Sequence, residues 1–155
     1  METQNFTVEA MDTPFVDRDD GGHIKITPKI KVLNRQLLSP KLAIEFMKLS
    51  VLVGEAFATA MNKRGVDIGR INYQDMGNWA VHTPEGPHVH NHLFGRAKSA
   101  KIQKYDEFCY LPPRSKNPEF YANLKPLNNG DIAEIKNEID NLLQTEKYKD
   151  ATWGL

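Results

Sequence analysis

From Leu42 onward the apolar residues Leu42, Phe46, Leu49, Val53, Ala56 and Ala60 recur at steps of four and three, the spacing of one helical face. Ser39 before them is a good N-cap, and Pro40 suits the first helical position, where a missing N–H costs nothing. Asn62-Lys63-Arg64-Gly65 after them offers basic side chains to the helix C-terminus and a glycine to end it. The pattern predicts a helix over residues 40–63. Ile44, Val51 and Phe57 widen its apolar stripe, so burial on more than one side is expected.

Elsewhere the period is two. His23-Ile24-Lys25-Ile26-Thr27 alternates strictly before Pro28, placing Ile24 and Ile26 on one face of a sheet and His23, Lys25 and Thr27 on the other. Phe15-Val16 reads as a strand end running into a turn over Asp17 to Gly22. Residues 68–74 and 88–94 read as strands, with a Gly-, Asn- and Pro-rich loop between them. Residues 97–129, interrupted by Pro112, Pro113, Pro118 and Pro126, read as irregular chain with one short strand near residues 108–111. Asp131 with Glu134 resembles a capping box, and Ile132, Ile135, Ile139 and Leu142 follow at helical spacing. Residues 1–14 carry too weak a pattern to predict an element. The expectation is an α+β fold: an antiparallel sheet of about five strands packed with one long helix, plus a C-terminal helical extension.

The chain has 155 residues, of which 40% are hydrophobic, and a mean hydropathy of -0.54. That suffices for one cored domain and is too little for two. Twenty basic and twenty acidic residues cancel, so no basic face marks a nucleic-acid or membrane-surface binder, and any phosphate should be met at a discrete site. Cys109 is the one cysteine, which fits a reducing compartment, and no leader or membrane span is legible. A cytoplasmic protein is expected.

The candidate chemistry lies in Pro87-His88-Val89-His90-Asn91-His92-Leu93-Phe94. On a strand, His88, His90 and His92 would share one face at about 7 Å intervals. Three imidazoles in a row do nothing for a core and repel one another when protonated. A chance surface cluster is the bland reading, and a metal site is a sharper one, although such a site usually needs a further ligand.

The run His88–Phe94 closely resembles the signature of the histidine-triad (HIT) family. The resemblance continues upstream in Phe15-Val16-Asp17 and in Gly22-His23-Ile24-Lys25-Ile26-Thr27-Pro28-Lys29, then in the long helix and in Ile71–Asp75, and downstream in Gly95-Arg96. It covers residues 15–96 and implies a nucleotide-binding core there, with residues 1–14 as an N-terminal segment and 97–155 as an extension packed on the same domain. It implies hydrolysis or transfer of nucleoside monophosphates joined to phosphate, amine or acyl leaving groups. His90 would be the nucleophile on the α-phosphorus, forming a nucleotidyl-histidine intermediate. His88 and His92 would flank it, supplying hydrogen bonds or positive charge, and His23 would support the cluster. Asp17 would bind the ribose hydroxyls, with Gln74, Asn78 and Thr83 toward the phosphate or leaving group. No cofactor or resident metal is called for, although the nucleotide could arrive as a metal complex. The apolar surplus of the long helix and the family's habit together imply a homodimer, with Val51 and Phe57 near its interface. The partner expected otherwise is a small nucleotide, with no nucleic acid and no membrane.

Two residues depart from that pattern. Asn91 stands where the family has an apolar side chain, and a buried Asn without partners costs about 1–3 kcal/mol. Glu85 stands where many members carry a Ser or Thr against phosphate, and Thr83 could substitute for it. A nucleotide-binding regulatory module with weakened turnover is the alternative these departures leave open, beside a metal-dependent enzyme. His82, the Lys98–Lys104 patch and Cys109 read as surface or structural residues. Trp79 reads as a base-stacking or loop-packing residue, and Trp153 as part of a docked tail.

Overall fold

A computed structural model of the chain describes every residue except Met76 and the side chain of Asn78. The elements are β1 (Phe6–Ala10), β2 (His23–Pro28), α1 (Pro40–Lys63), β3 (Ile68–Gln74), β4 (Asn91–Ala97), α2 (Pro118–Ala122) and α3 (Asn129–Leu143). Short 3-10 turns fill several connections, among them Arg18–Asp20 and Asn78–Ala80. Among the described residues no helix is long and apolar enough to cross a membrane.

The strands form one antiparallel sheet in the order β1-β2-β4-β3. The fold is thus α+β as expected, with four strands among the described residues in place of about five. Residues 15–16 and 108–111 form no strand, and residues 6–10 do. Phe6 and Val8 are buried in the core, and β1 gains its hydrogen bonds by pairing with β2 from Phe6↔Pro28 to Ala10↔Ile24. Five residues with only two large apolar side chains cannot announce a strand by themselves; the partner makes it one.

Helix α1 begins and ends where the sequence says. The Ser39 hydroxyl accepts from the Leu42 N–H at 3.4 Å, and Pro40 opens the first turn. Gly65, at φ 82°, carries the reversal after it. Phe46, Leu49, Val53, Ala56 and Ala60 bury one face of α1 against the sheet, where Ile24, Ile26 and Leu93 meet them in the same core. Helix α3 covers a further flank with Ile135 and Ile139, and Ile132 packs beside them. Phe57 therefore lies at 0% exposure inside the core, and the expectation of it at a subunit interface is corrected.

The start of α3 is shifted by one turn from the expectation. Asn128 is the N-cap, accepting from the Asp131 N–H at 3.1 Å, while the Asp131 carboxylate accepts from the Asn128 N–H at 3.1 Å. Asp131 is thus the third helical residue of the box, not its cap. Its buried carboxylate also receives Arg18 at 2.8 Å and Arg64 at 3.1 Å, joining α3 to the ends of both the Asp17 turn and α1.

Residues 98–117 are irregular yet tightly tied. The buried Asp20 carboxylate accepts from the backbone N–H groups of Lys101, Ile102 and Gln103 at 2.7, 2.8 and 2.6 Å. The buried Arg96 guanidinium donates to the carbonyls of Gln103, Lys104 and Glu107, to Asn72 Oδ1 at 2.9 Å and to Cys109 Sγ at 3.0 Å. Cys109 therefore sits in a structural contact, with burial as the leading cause of a raised thiol pKa. Trp153 is docked as expected, its indole donating to the Lys147 carbonyl at 2.7 Å.

Candidate active site

The histidines gather on the face of the sheet away from α1. The turn before β2 fixes the first of them. Gly21 and Gly22 adopt φ of 135° and 84°, and a Cβ on Gly21 would stand 2.1 Å from the carbonyl oxygen of Gly95 on β4. Only glycine lets the two backbones approach so closely. The Gly95 N–H then donates to the Gly22 carbonyl at 3.1 Å, and His23 pairs in register with Phe94.

Strand β4 starts at Asn91, so only His92 of the triad lies within it. His88, Val89 and His90 run up to it outside the ladder, and the Val89 N–H donates to the Val32 carbonyl at 2.7 Å. The expectation of three imidazoles evenly spaced along one strand is corrected accordingly. The departure lets the His90 ring turn edge-on to the His92 ring, with centroids 4.6 Å apart and planes at 87°.

The hydrogen bonds assign the protons. The Phe15 N–H donates to His23 Nδ1 at 3.2 Å, so that nitrogen carries a lone pair and the His23 proton lies on Nε2. His23 Nε2 is 2.8 Å from His92 Nδ1, which must therefore accept, placing the His92 proton on Nε2. His90 Nδ1 is 2.6 Å from the His88 carbonyl oxygen, which can only accept. His90 thus donates through Nδ1 and keeps its lone pair on Nε2. Burial, then the charges of neighbouring groups, lowers the His23 pKa to about 2 and the His92 pKa to about 3. Both rings are neutral near pH 7. His92 can offer a hydrogen bond to an incoming oxygen through Nε2–H.

A cleft of about 570 Å³ lies over these rings, lined by Met11, Phe15, Lys25, Thr27, Asp75, Gly77, Trp79, Ala80, His88, His90 and His92. Phe15 stacks on His23 at 5.3 Å and 21°, and Trp79 meets Phe15 edge-on at 5.8 Å. Arg114 lies 5.0 Å over the Phe15 ring and 4.5 Å over Tyr121, bracing the aromatic wall from behind. Two cleft groups carry buried polar atoms without a partner among the described residues, Thr27 Oγ1 and His88 Nε2.

The remaining candidates are scattered. Asp17 is buried in the turn before β2, its carboxylate accepting from the N–H groups of Asp19 at 2.8 Å and Lys125 at 2.7 Å. It lines a different cleft, with Arg18, Ser99 and Lys125. Gln74 pairs in register with His92 at the end of β3 but does not line the histidine cleft. Thr83 is an exposed turn residue donating to the Ala80 carbonyl at 3.0 Å. The Asn78 side chain lies outside the described residues. Glu85 is exposed and absent from the cleft lining, and His82 is exposed. Asn91 points to the α1 side, buried, with Nδ2 donating to Ser50 Oγ at 3.0 Å and Oδ1 unpartnered. Asn91 thus lies off the histidine face, and Glu85 outside the cleft lining. Lys25 and Thr27 are what the sequence reading left out; their place on the His23 face of β2 was the signal. Among the described residues no group of three His, Cys, Asp or Glu is arranged to hold a metal ion.

No family model matches this sequence, and no curated protein sequence matches it. Solved structures do. A hypothetical histidine triad nucleotide-binding protein of Sulfolobus tokodaii superposes with a TM-score of 0.57 at 18% identity, over 93% of this chain and 84% of that one. A histidine triad protein of Marinobacter aquaeolei gives 0.59 at 15%, over 92% and 85%. A zinc-bound histidine triad family protein of Mycobacterium smegmatis gives 0.54 at 17%, over 92% and 83%. The chain has the histidine-triad fold. The likeness takes in more of the chain than residues 15–96.

Proposed function

We propose that this histidine-triad chain is a nucleotide hydrolase or nucleotidyl transferase acting at the α-phosphorus of a nucleoside monophosphate conjugate. The observation that carries the reading is the His90 ring, whose Nδ1–H is held by the His88 carbonyl so that the Nε2 lone pair is free in the cleft. A neutral imidazole is a competent nucleophile near pH 7. Nε2 would form the bond to phosphorus as the bond to the leaving group breaks, and the Nε2–H of His92 would hydrogen-bond a phosphoryl oxygen. Water attacking phosphorus would then release the nucleoside monophosphate and restore His90. Asn91 and Glu85, the residues that favour a weakly active module, lie off the histidine face or outside the cleft lining, which supports turnover over mere binding. The cytoplasm is the compartment we propose, on the lone cysteine.

The test is single-turnover labelling with α-phosphorus-labelled substrates: an adenosine phosphoramidate, a dinucleoside polyphosphate and an adenylylated amine. Acid-labile label on a peptide containing His90, lost in His90→Asn, is the expected result. Steady turnover with no label trapped at any time would overturn the covalent route.

A further inference from the structure

Lys25 stands in the histidine cleft with no role assigned by the triad. It pairs in register with His92 across β2 and β4, and its ammonium lies 3.3 Å from the Glu9 carboxylate on β1. Thr27, two residues along the same face, brings to the cleft a buried hydroxyl that lacks a partner among the described residues. Both side chains point the way His23 does, because β2 alternates and Ile24 and Ile26 take the core side.

The charges around the cleft give this placement its meaning. A phosphate ester brings one to two negative charges, and an uncompensated charge in a desolvated site is costly. His23 and His92 are neutral there and contribute hydrogen bonds only. Asp75 on the cleft wall is negative and already paired with Arg35 at 3.2 Å. Among the described residues Lys25 is the only lysine or arginine that lines the cleft. Its present counter-ion is an exposed glutamate at the rim, a pair of the kind that contributes little and exchanges readily.

We propose that Lys25 is a phosphate-binding residue of this cleft, its ammonium and the Thr27 hydroxyl holding non-bridging phosphate oxygens of the bound nucleotide. The assignment rests on the nucleotide reading above. Glu9 keeps the ammonium poised when the cleft is empty and yields it when a phosphate enters.

Calorimetric titration of the wild-type chain, Lys25→Gln, Lys25→Arg and Glu9→Gln with a nucleoside monophosphate and with the matching nucleoside tests it. A charge-assisted hydrogen bond predicts that Lys25→Gln weakens the monophosphate by about tenfold to a hundredfold and leaves the nucleoside unchanged. Lys25→Arg should keep most of the affinity. Glu9→Gln, which removes the competing anion and keeps the lysine, should tighten the monophosphate at low salt, and this holds even if Lys25→Gln folds poorly. Equal monophosphate affinity in wild type and Lys25→Gln overturns the assignment and leaves the nucleotide reading standing, as does equal weakening of nucleoside and monophosphate. A wild-type chain that binds neither across a panel of bases overturns the nucleotide reading and Lys25 with it.

Discussion

His23 Nε2 donates to His92 Nδ1 across 2.8 Å, and both rings are almost wholly buried when it does so. The bond is useful only while both rings are neutral. Protonating His92 would destroy its acceptor, and protonating His23 would expel the Phe15 N–H from Nδ1. Burial and hydrogen bonding thus agree on one protonation state for the pair.

That agreement predicts a pH dependence of stability. The folded pKa values of about 2 and about 3 lie below the ordinary 6.5 of an unfolded histidine. Between those limits the unfolded chain binds more protons, so stability is full above pH 6.5 and is lost as pH falls. Two such groups give a slope of up to about 3 kcal/mol per pH unit. The paired carboxylates Asp19 and Asp131 add their own loss only as pH falls below their ordinary pKa of 3.8. Glu55, held low by Lys147 and Tyr148, joins them as pH approaches its ordinary 4.5, so urea melts from pH 6.5 to 5.5 report mainly on the histidines. A midpoint constant over that range would contradict neutral burial of the pair.

Removing His23 should separate chemistry from binding. In His23→Leu the His92 ring loses the donor that fixes its tautomer, while His90 and the cleft lining stay in place. The expected result is a fall in kcat of about tenfold to a hundredfold with KM little changed. A rise in KM alone would mean that His23 merely shapes the cleft.

The helix α1 and the triad were legible because their information is local. Ser39, Pro40 and Gly65 punctuate the helix, and the histidines stand within five consecutive residues. What could not be read depends on distant partners. Strand β1 exists because β2 pairs with it, and the irregular stretch after β4 is held by Asp20, more than eighty positions away in sequence. The tautomer relay was hidden for the same reason, since it joins Phe15, His23 and His92 through a turn no periodicity encodes. Lys25 was visible on the right face, but its importance emerged only once burial had left the neighbouring rings uncharged.

The Asp17 carboxylate has a structural task in the turn before β2. Both its oxygens are occupied by backbone N–H groups, one of them from Lys125 in the C-terminal region. Asp17→Ala would leave those two donors without their acceptor at a buried place, costing about 2–3 kcal/mol. A lowered urea midpoint is expected, with ribonucleotide and deoxyribonucleotide affinities shifted alike. Selective loss of ribonucleotide binding would restore the ribose role.

The flank of α1 that α3 leaves bare bears on assembly. Ile44, Met47 and Val51 follow one another there at helical steps, with Met47 at 52% exposure, and Tyr73 of β3 lies beside Val51 along a shallow groove. Strand β3 is an edge of the described sheet, its outer side unpaired. Pairing of two copies about a two-fold axis would cover such a flank and edge together, α1 against α1 and β3 against β3. We expect a homodimer formed in this way, its interface centred on Met47 and Val51. Met47→Asp or Val51→Asp should then sediment as a single chain of 17.6 kDa, while wild type sediments at twice that mass at micromolar concentration. Phe57→Asp cannot serve as the test, because that ring is in the core and its loss would unfold the chain. A wild-type chain that sediments at 17.6 kDa would show that this flank stays uncovered in solution.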